Sequence, residues 1–264
     1  LPRFFMICGH KTALCVAKRT KKSIFAQQMR KPIPGIIPAT IPIMKEILTY
    51  LSQLRENNNR EWFQAHKEEY DRLRPLFIEK VQQLIDRISR FDHEIAGLDA
   101  KSCLYRIYRD IRFSPDKTPY KSYMSAYIAK GGRKSLRAGY YFHLEPGGSM
   151  LSGGVWCPEP KLLKALRQAV YDNYDELQEI VSNRRFRALY HDWEGETLKI
   201  VPRPFPRDCE QAEWLKRKDY VVVNHKSDRF FEEPDWVEKT AREFQIMKPL
   251  NDFFNYTIDE VYDL

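Results

Sequence analysis

The stretch AGYYFHLEPGGSMLSGGVW, residues 138–156, leaves the chain few local options. Two short runs of β-forming character flank Glu145-Pro146-Gly147-Gly148. That quartet is turn chemistry: proline presets φ, and glycine accepts the positive φ that other residues avoid. A spacer this short joins antiparallel neighbours, so the sequence predicts a hairpin. Further short strand patterns surround it. CLYRIYRD (103–110) and SYMSAYIA (122–129) precede it, DYVVVNHK (219–226) follows it, and a strand is expected around KIVPR (199–203).

Helical periodicity brackets these strands. MKEILTYLSQL (44–54) places Ile47, Leu48, Leu51 and Leu54 on one helical face. Asn59 is a good N-cap for a helix opening at Arg60, which carries Trp62, Phe63, Tyr70 and Leu73. Pro75 should kink or restart that helix before Phe77, Val81, Leu84, Ile88 and Phe91 continue the stripe. A helix is expected over about 160–170, with Pro160 in its first turn, and others near 173–190. A last helix, begun by Pro234, carries Val237, Ala241, Phe244, Met247 and Leu250. Helices at both ends and strands between them indicate an α+β fold. The expected architecture is a central, mostly antiparallel sheet with the N- and C-terminal helices packed on it.

Charge divides the chain. Lys and Arg number 44 and Asp and Glu 36, a net +8 that invites a nucleic-acid reading. Residues 1–43 hold eight of the basic residues and no acidic one, which leaves 36 basic residues against 36 acidic ones in the remainder. Nucleic-acid binding is therefore not expected of residues 44–264. Residues 1–43 also place four prolines between Lys31 and Pro42, and they read as a non-domain basic tail. Non-native sequence translated ahead of a true start at Met44 accounts for such a tail better than a transit peptide, which would be richer in Ser and Arg. Residues 44–264 are expected to form a single domain. No apolar run approaches the ~18 residues that a membrane span needs. Five cysteines without a CxxC pair give neither a disulfide framework nor a zinc site, which points to a reducing, cytoplasmic setting.

One segment concentrates chemistry. RIYRDIRFSPDKTPYK sets Arg106, Arg109, Arg112, Lys117 and Lys121 against only Asp110 and Asp116. Read as a strand, CLYRIYRD would put Tyr105, Ile107, Arg109 and Ile111 on one face and Arg106, Tyr108, Asp110 and Arg112 on the other. SPDKTPYK then reads as a tight loop able to fold Lys117 and Lys121 back toward the arginines.

This segment resembles the signature of a bacterial and fungal family, domain of unknown function 2461. The matching residues are Arg106-x-x-Arg109-Asp110-x-Arg112-Phe113, Asp116-Lys117 and Pro119-Tyr120-Lys121. Asn58-Asn59-Arg60-Glu61-Trp62-Phe63, Gly139-Tyr140-Tyr141 and Gly153-Gly154 ahead of Trp156 and Pro158 resemble the same family. The resemblance covers most of residues 44–264. It implies no catalytic residue, because the family carries no established activity.

The residues themselves point to anion binding. Five cations against two carboxylates leave an excess of three, and guanidinium forks grip phosphate or carboxylate at two points. A cationic pocket for a small anionic or phosphorylated ligand is expected from Arg106, Arg109, Asp110, Arg112, Asp116, Lys117, Tyr120 and Lys121, joined by Tyr141, His143 and Trp156. Gly153-Gly154 would let a ligand approach the backbone, and the helix after Pro158 would add its N-terminal amides. His143 and His225 are the candidates for general acid or base. Two other readings stand beside this one. One is a metal-assisted phosphoesterase or nucleic-acid-processing enzyme using Asp110 and Asp116. The other is a structural or partner-binding module in which the Arg/Asp network is scaffold. No nucleotide, zincin, hydrolase-elbow or dinucleotide motif is present, and neither a cofactor nor an all-protein metal site is expected.

Overall fold

A computed structural model describes residues 42–264. The expectations for residues 1–41 lie outside the described residues. The first helix, α1 (Ile43–Glu56), buries Met44, Ile47, Leu48, Leu51 and Leu54, the stripe its spacing predicts. Asn59 caps α2 (Arg60–Ala65) by accepting the Trp62 N–H at 2.9 Å. The helix does not run on to Pro75, as its periodicity suggested. It breaks at His66, and α3 (Lys67–Ile88) then passes straight through the proline. Leu73 and Phe77 on either side of Pro75 are both buried, so packing offsets the backbone hydrogen bond that proline cannot make.

A single-turn helix, α4 (Ala100–Cys103), leads toward the sheet, built of β1 (Met124–Ile128), β2 (Gly139–Leu144) and β3 (Met150–Val155). After β3 come α5 (Pro160–Asp172), α6 (Tyr174–Ser182) and α7 (Arg184–Leu189). The chain ends with β4 (Asp192–Glu194), α8 (Ala212–Leu215), β5 (Tyr220–His225) and α9 (Trp236–Tyr262). The strand order is β1-β2-β3-β5-β4, and every pairing is antiparallel. The expected α+β architecture is thus the observed one.

The β2–β3 hairpin forms as expected. Gly148 donates to the Glu145 carbonyl at 3.0 Å, and Gly147 takes φ +68°. No strand forms over 199–203; Pro202 and Pro204 lack the N–H groups a ladder needs. The missing strand lies earlier, at Asp192–Glu194, where three residues pair with β5.

The register sorts the sheet into two faces. Tyr140, Phe142 and Leu144 alternate with Tyr141 and His143 along β2. The first set meets helices: Phe142 stacks on Phe77 (5.7 Å) and Trp236 (5.6 Å), and Tyr140 packs on Phe244 (5.2 Å). Full burial of each such ring contributes about 1.5–3 kcal/mol. The second set is polar. Ser125 lies opposite His143, and Tyr127 and Ser152 lie on either side of Tyr141. Among the described residues no helix is long and apolar enough to cross a membrane.

Candidate functional site

The cationic segment does not form the regular strand expected of CLYRIYRD. Its start is taken by α4, and from Leu104 to Arg109 the chain runs along the outer side of 119–126, touching it through isolated bridges at Leu104–Ala126 and Tyr108–Tyr120. Three backbone bonds hold it: Tyr105 to the Ser125 carbonyl (3.1 Å), Arg109 to that of Pro119 (2.9 Å) and Lys121 to that of Ile107 (2.8 Å). The expected alternation fails with the strand. Ile107 is buried, whereas Tyr105, assigned to the same face, is 41% exposed.

An amide side chain answers the backbone groups of Tyr120 that the 104–109 segment does not use. The Tyr120 N–H donates to Asn58 Oδ1 (3.1 Å), and Asn58 Nδ2 donates to the Tyr120 carbonyl (2.9 Å). Pro119 and Lys121 on either side turn their backbone groups to Arg109 and Ile107, so Asn58 takes the place of a neighbouring strand on the opposite edge of the segment at Tyr120. The ring of Tyr120 is buried against Phe63 at 4.0 Å, so α2 and the cationic segment are fastened twice. In the sequence Asn58 stands out only within the Asn58–Phe63 resemblance, and its separation of 62 residues from Tyr120 gives no local signal.

Beyond Arg109 the loop closes on itself. Arg112 grips Asp110 at two points, Nε to Oδ1 (3.0 Å) and Nη2 to Oδ2 (2.7 Å). The Arg112 side chain and then its backbone N–H hold the Asp110 carboxyl down at about 2. Asp116 also sits at about 2, held first by the Thr118 N–H and then by Arg109. Arg109 binds Asp116 and the Thr118 hydroxyl, and Lys117 donates to the Ile111 carbonyl (3.0 Å). Both aspartates are thus engaged by arginine, and among the described residues no three His, Cys, Asp or Glu side chains cluster as metal ligands would. Phe113 at the loop tip is 94% exposed beneath the Arg112 guanidinium.

Arg106 and Lys121 behave differently from those two arginines. Arg106 is exposed, and among the described residues it forms no ion pair. Lys121 is 7% exposed, with Nζ over the Tyr105 ring at 5.2 Å and the Tyr123 ring at 5.5 Å. Burial, then repulsion from Arg106 and Arg109, pushes its ammonium down to about 8.

The two rings that flank Lys121 lead onto the polar face of the sheet. Tyr105 meets Tyr141 edge-on at 6.4 Å, and Tyr123 lies 4.3 Å from the His143 ring. There β2 carries a hydrogen-bonded chain. Tyr141 OH lies 2.9 Å from His143 Nδ1, and His143 Nε2 lies 3.0 Å from Glu145 Oε2. If Nε2 carries the proton that Glu145 accepts, Nδ1 is left to accept from the phenol. Burial raises the Tyr141 phenol well above the usual tyrosine range. Ser122 adds a bond to Glu145 Oε1 at 3.3 Å. Glu145 is the member sequence reading missed, having been read only as a turn residue; its position two beyond His143 was the available signal.

The expected residues therefore fall into four places. Arg106, Lys121, Tyr141 and His143 gather around Tyr105 and Tyr123, with Arg109 at the margin. Asp110, Arg112, Asp116 and Lys117 belong to the outer loop, and Tyr120 to the clamp beneath it. Trp156 stands apart: it follows the end of β3 that aligns with the end of β1, while the cationic loop precedes the start of β1. Gly153 and Gly154 have a packing reason. A Cβ at Gly153 would run into Met247 and the Gly139 carbonyl, and one at Gly154, where φ is +105°, into the Tyr220 carbonyl. His225 is exposed, in the same cross-strand row as His143 and Met150.

Compared with protein families, residues 46–253 match the family described as "Conserved hypothetical protein (DUF2461)". No curated protein and no solved structure matches the chain.

Proposed function

The chain belongs to the DUF2461 family, and we propose that it binds a small anionic or phosphorylated ligand where the cationic segment meets the tyrosine-lined face of the sheet. Arg106 and Lys121 are the primary contacts, Arg109 a flanking one, and Tyr141 and His143 supply hydrogen-bonding groups beside them. One observation carries this reading. Both carboxylates of the segment are engaged by Arg109 and Arg112, and Arg106 remains exposed without an ion pair among the described residues, close enough to raise the electrostatic cost of Lys121. An anion placed there would gain a guanidinium fork and relieve that repulsion. Residues 44–264 act as the folded unit that carries the site.

The test is a thermal melt with inorganic phosphate, sulfate and phosphorylated small molecules. A ligand that binds only the native state raises the melting temperature by mass action. The shift should appear in the parent and vanish in Arg106→Ala, whose melt without ligand should match the parent. If no anion shifts the parent, the reading fails.

A further inference from the structure

We propose that Lys121 is a nucleophilic amine that condenses with the carbonyl of a small aldehyde or ketone bearing a phosphate or carboxylate group. This deepens the anion-binding reading and rests on it. The geometry carries the inference. Nζ is confined between the Tyr105 and Tyr123 rings, at 5.2 and 5.5 Å, where burial disfavours its charged form. Tyr105 is 41% exposed, so this wall of the site adjoins solvent. Arg106 on the next residue offers the fork that would hold the anionic group while the carbonyl reaches the amine. The polar neighbours Tyr141, His143 and Glu145 line the adjoining sheet face.

A lysine that serves only to pack would gain from remaining a stable cation over its aromatic rings. At Lys121 burial, and then repulsion from Arg106 and Arg109, lowers the ammonium to about 8. A substantial free-amine fraction near neutral pH is what nucleophilic attack requires. The step balances without an oxidant or reductant. The amine lone pair bonds to the carbonyl carbon, the C=O π pair moves to oxygen, and a proton passes from nitrogen to that oxygen. The nitrogen lone pair then expels the hydroxyl as water, with a proton from solvent, and C=N forms. The remaining N–H proton returns to solvent.

Pyridoxal 5'-phosphate, an anionic aldehyde, is a suitable probe. The full chain is incubated with it near pH 8, the imine is reduced with borohydride, and the modified lysines are mapped by peptide mass. Modification is expected at Lys121, about tenfold above exposed lysines such as Lys134 and Lys199. Excess inorganic phosphate should protect Lys121. Pyridoxal without the phosphate should label it poorly, and Arg106→Ala should lose the preference for the phosphorylated probe. Labelling spread over Lys134, Lys199 and other exposed lysines with Lys121 untouched overturns the proposal. If Lys121 stays unmodified while phosphate still raises the melting temperature, the amine inference fails and the anion-binding reading survives. If both aldehydes label Lys121 equally and phosphate neither protects nor stabilises, the substrate class and the anion-binding reading fall together.

Discussion

The two faces of the sheet are made by alternate residues of the same strands, yet they are built on different chemistry. On one, Phe142 and Tyr140 of β2 meet rings from α3 and α9, and the Tyr140 hydroxyl reaches past them to Asp92. On the other, Tyr141 and His143 are joined by hydrogen bonds to each other and onward to Glu145. His143 is buried, at 3% exposure, but its burial comes with polar partners at both ring nitrogens. Apolar contact is forgiving of small shifts and costly to remove. A hydrogen-bonded chain contributes less to stability and demands exact partners.

The sharpest test compares neighbours on the two faces. Phe142→Ala should cost about 3–5 kcal/mol in a denaturant titration, because it opens a cavity between α3, α9 and the sheet. His143→Gln should cost only about 1–2 kcal/mol, since an amide replaces part of the bonding. Equal losses would make the polar face a second core and break the contrast.

A smaller effect comes from Lys121, where the sign can be worked out. Its folded pKa of about 8 lies below the ordinary lysine value, so the unfolded chain binds more protons between pH 8 and about 10.5. The cost of burying the ammonium is full below pH 8 and is relieved as pH rises through that window. Relative to Lys121→Met, the parent should therefore gain stability from pH 7 to pH 10, on the order of 1–2 kcal/mol after allowing for solvent screening. A flat difference would place the amine's titration outside that window.

The smallest effects belong to the outer loop. Arg109→Ala should cost about 1 kcal/mol in a thermal melt, and Arg112→Ala, whose ion pair lies in solvent, should melt with the parent. The Arg109 value is modest because Asp116, the partner left behind, has a side chain 56% exposed and stays solvated. Losing Arg109 therefore strands no buried carboxylate.

Much of the fold was legible in local pattern. The hairpin was readable because its turn chemistry sits between two short β patterns, and α1, α5 and α9 because apolar stripes recur at helical spacing. What local pattern could not supply was competition between distant groups. CLYRIYRD has the composition of a strand, but α4 takes its first residue, and Pro119 in the neighbouring segment has no N–H to return the bond that Arg109 gives it. Gly153-Gly154 looked like room for a ligand because the sequence does not show that Met247 and Tyr220 fill that space. Asp192–Glu194 was missed because three residues with two exposed acids carry almost no β signal. In the candidate site, the cluster of cations was visible, but which of them the aspartates would engage was not.

The Asn58 clamp has a consequence for the protein's chemical ageing. Its amide answers both backbone groups of Tyr120, so an intruding strand finds no donor or acceptor there. Deamidation of Asn58 to aspartate would replace the donating NH2 with a carboxylate oxygen facing a carbonyl, turning half of the seal from attraction to repulsion. The Tyr120 carbonyl would then lack its donor, and slow hydrolysis of one side chain would loosen the clamp on the cationic segment while the buried core stays intact.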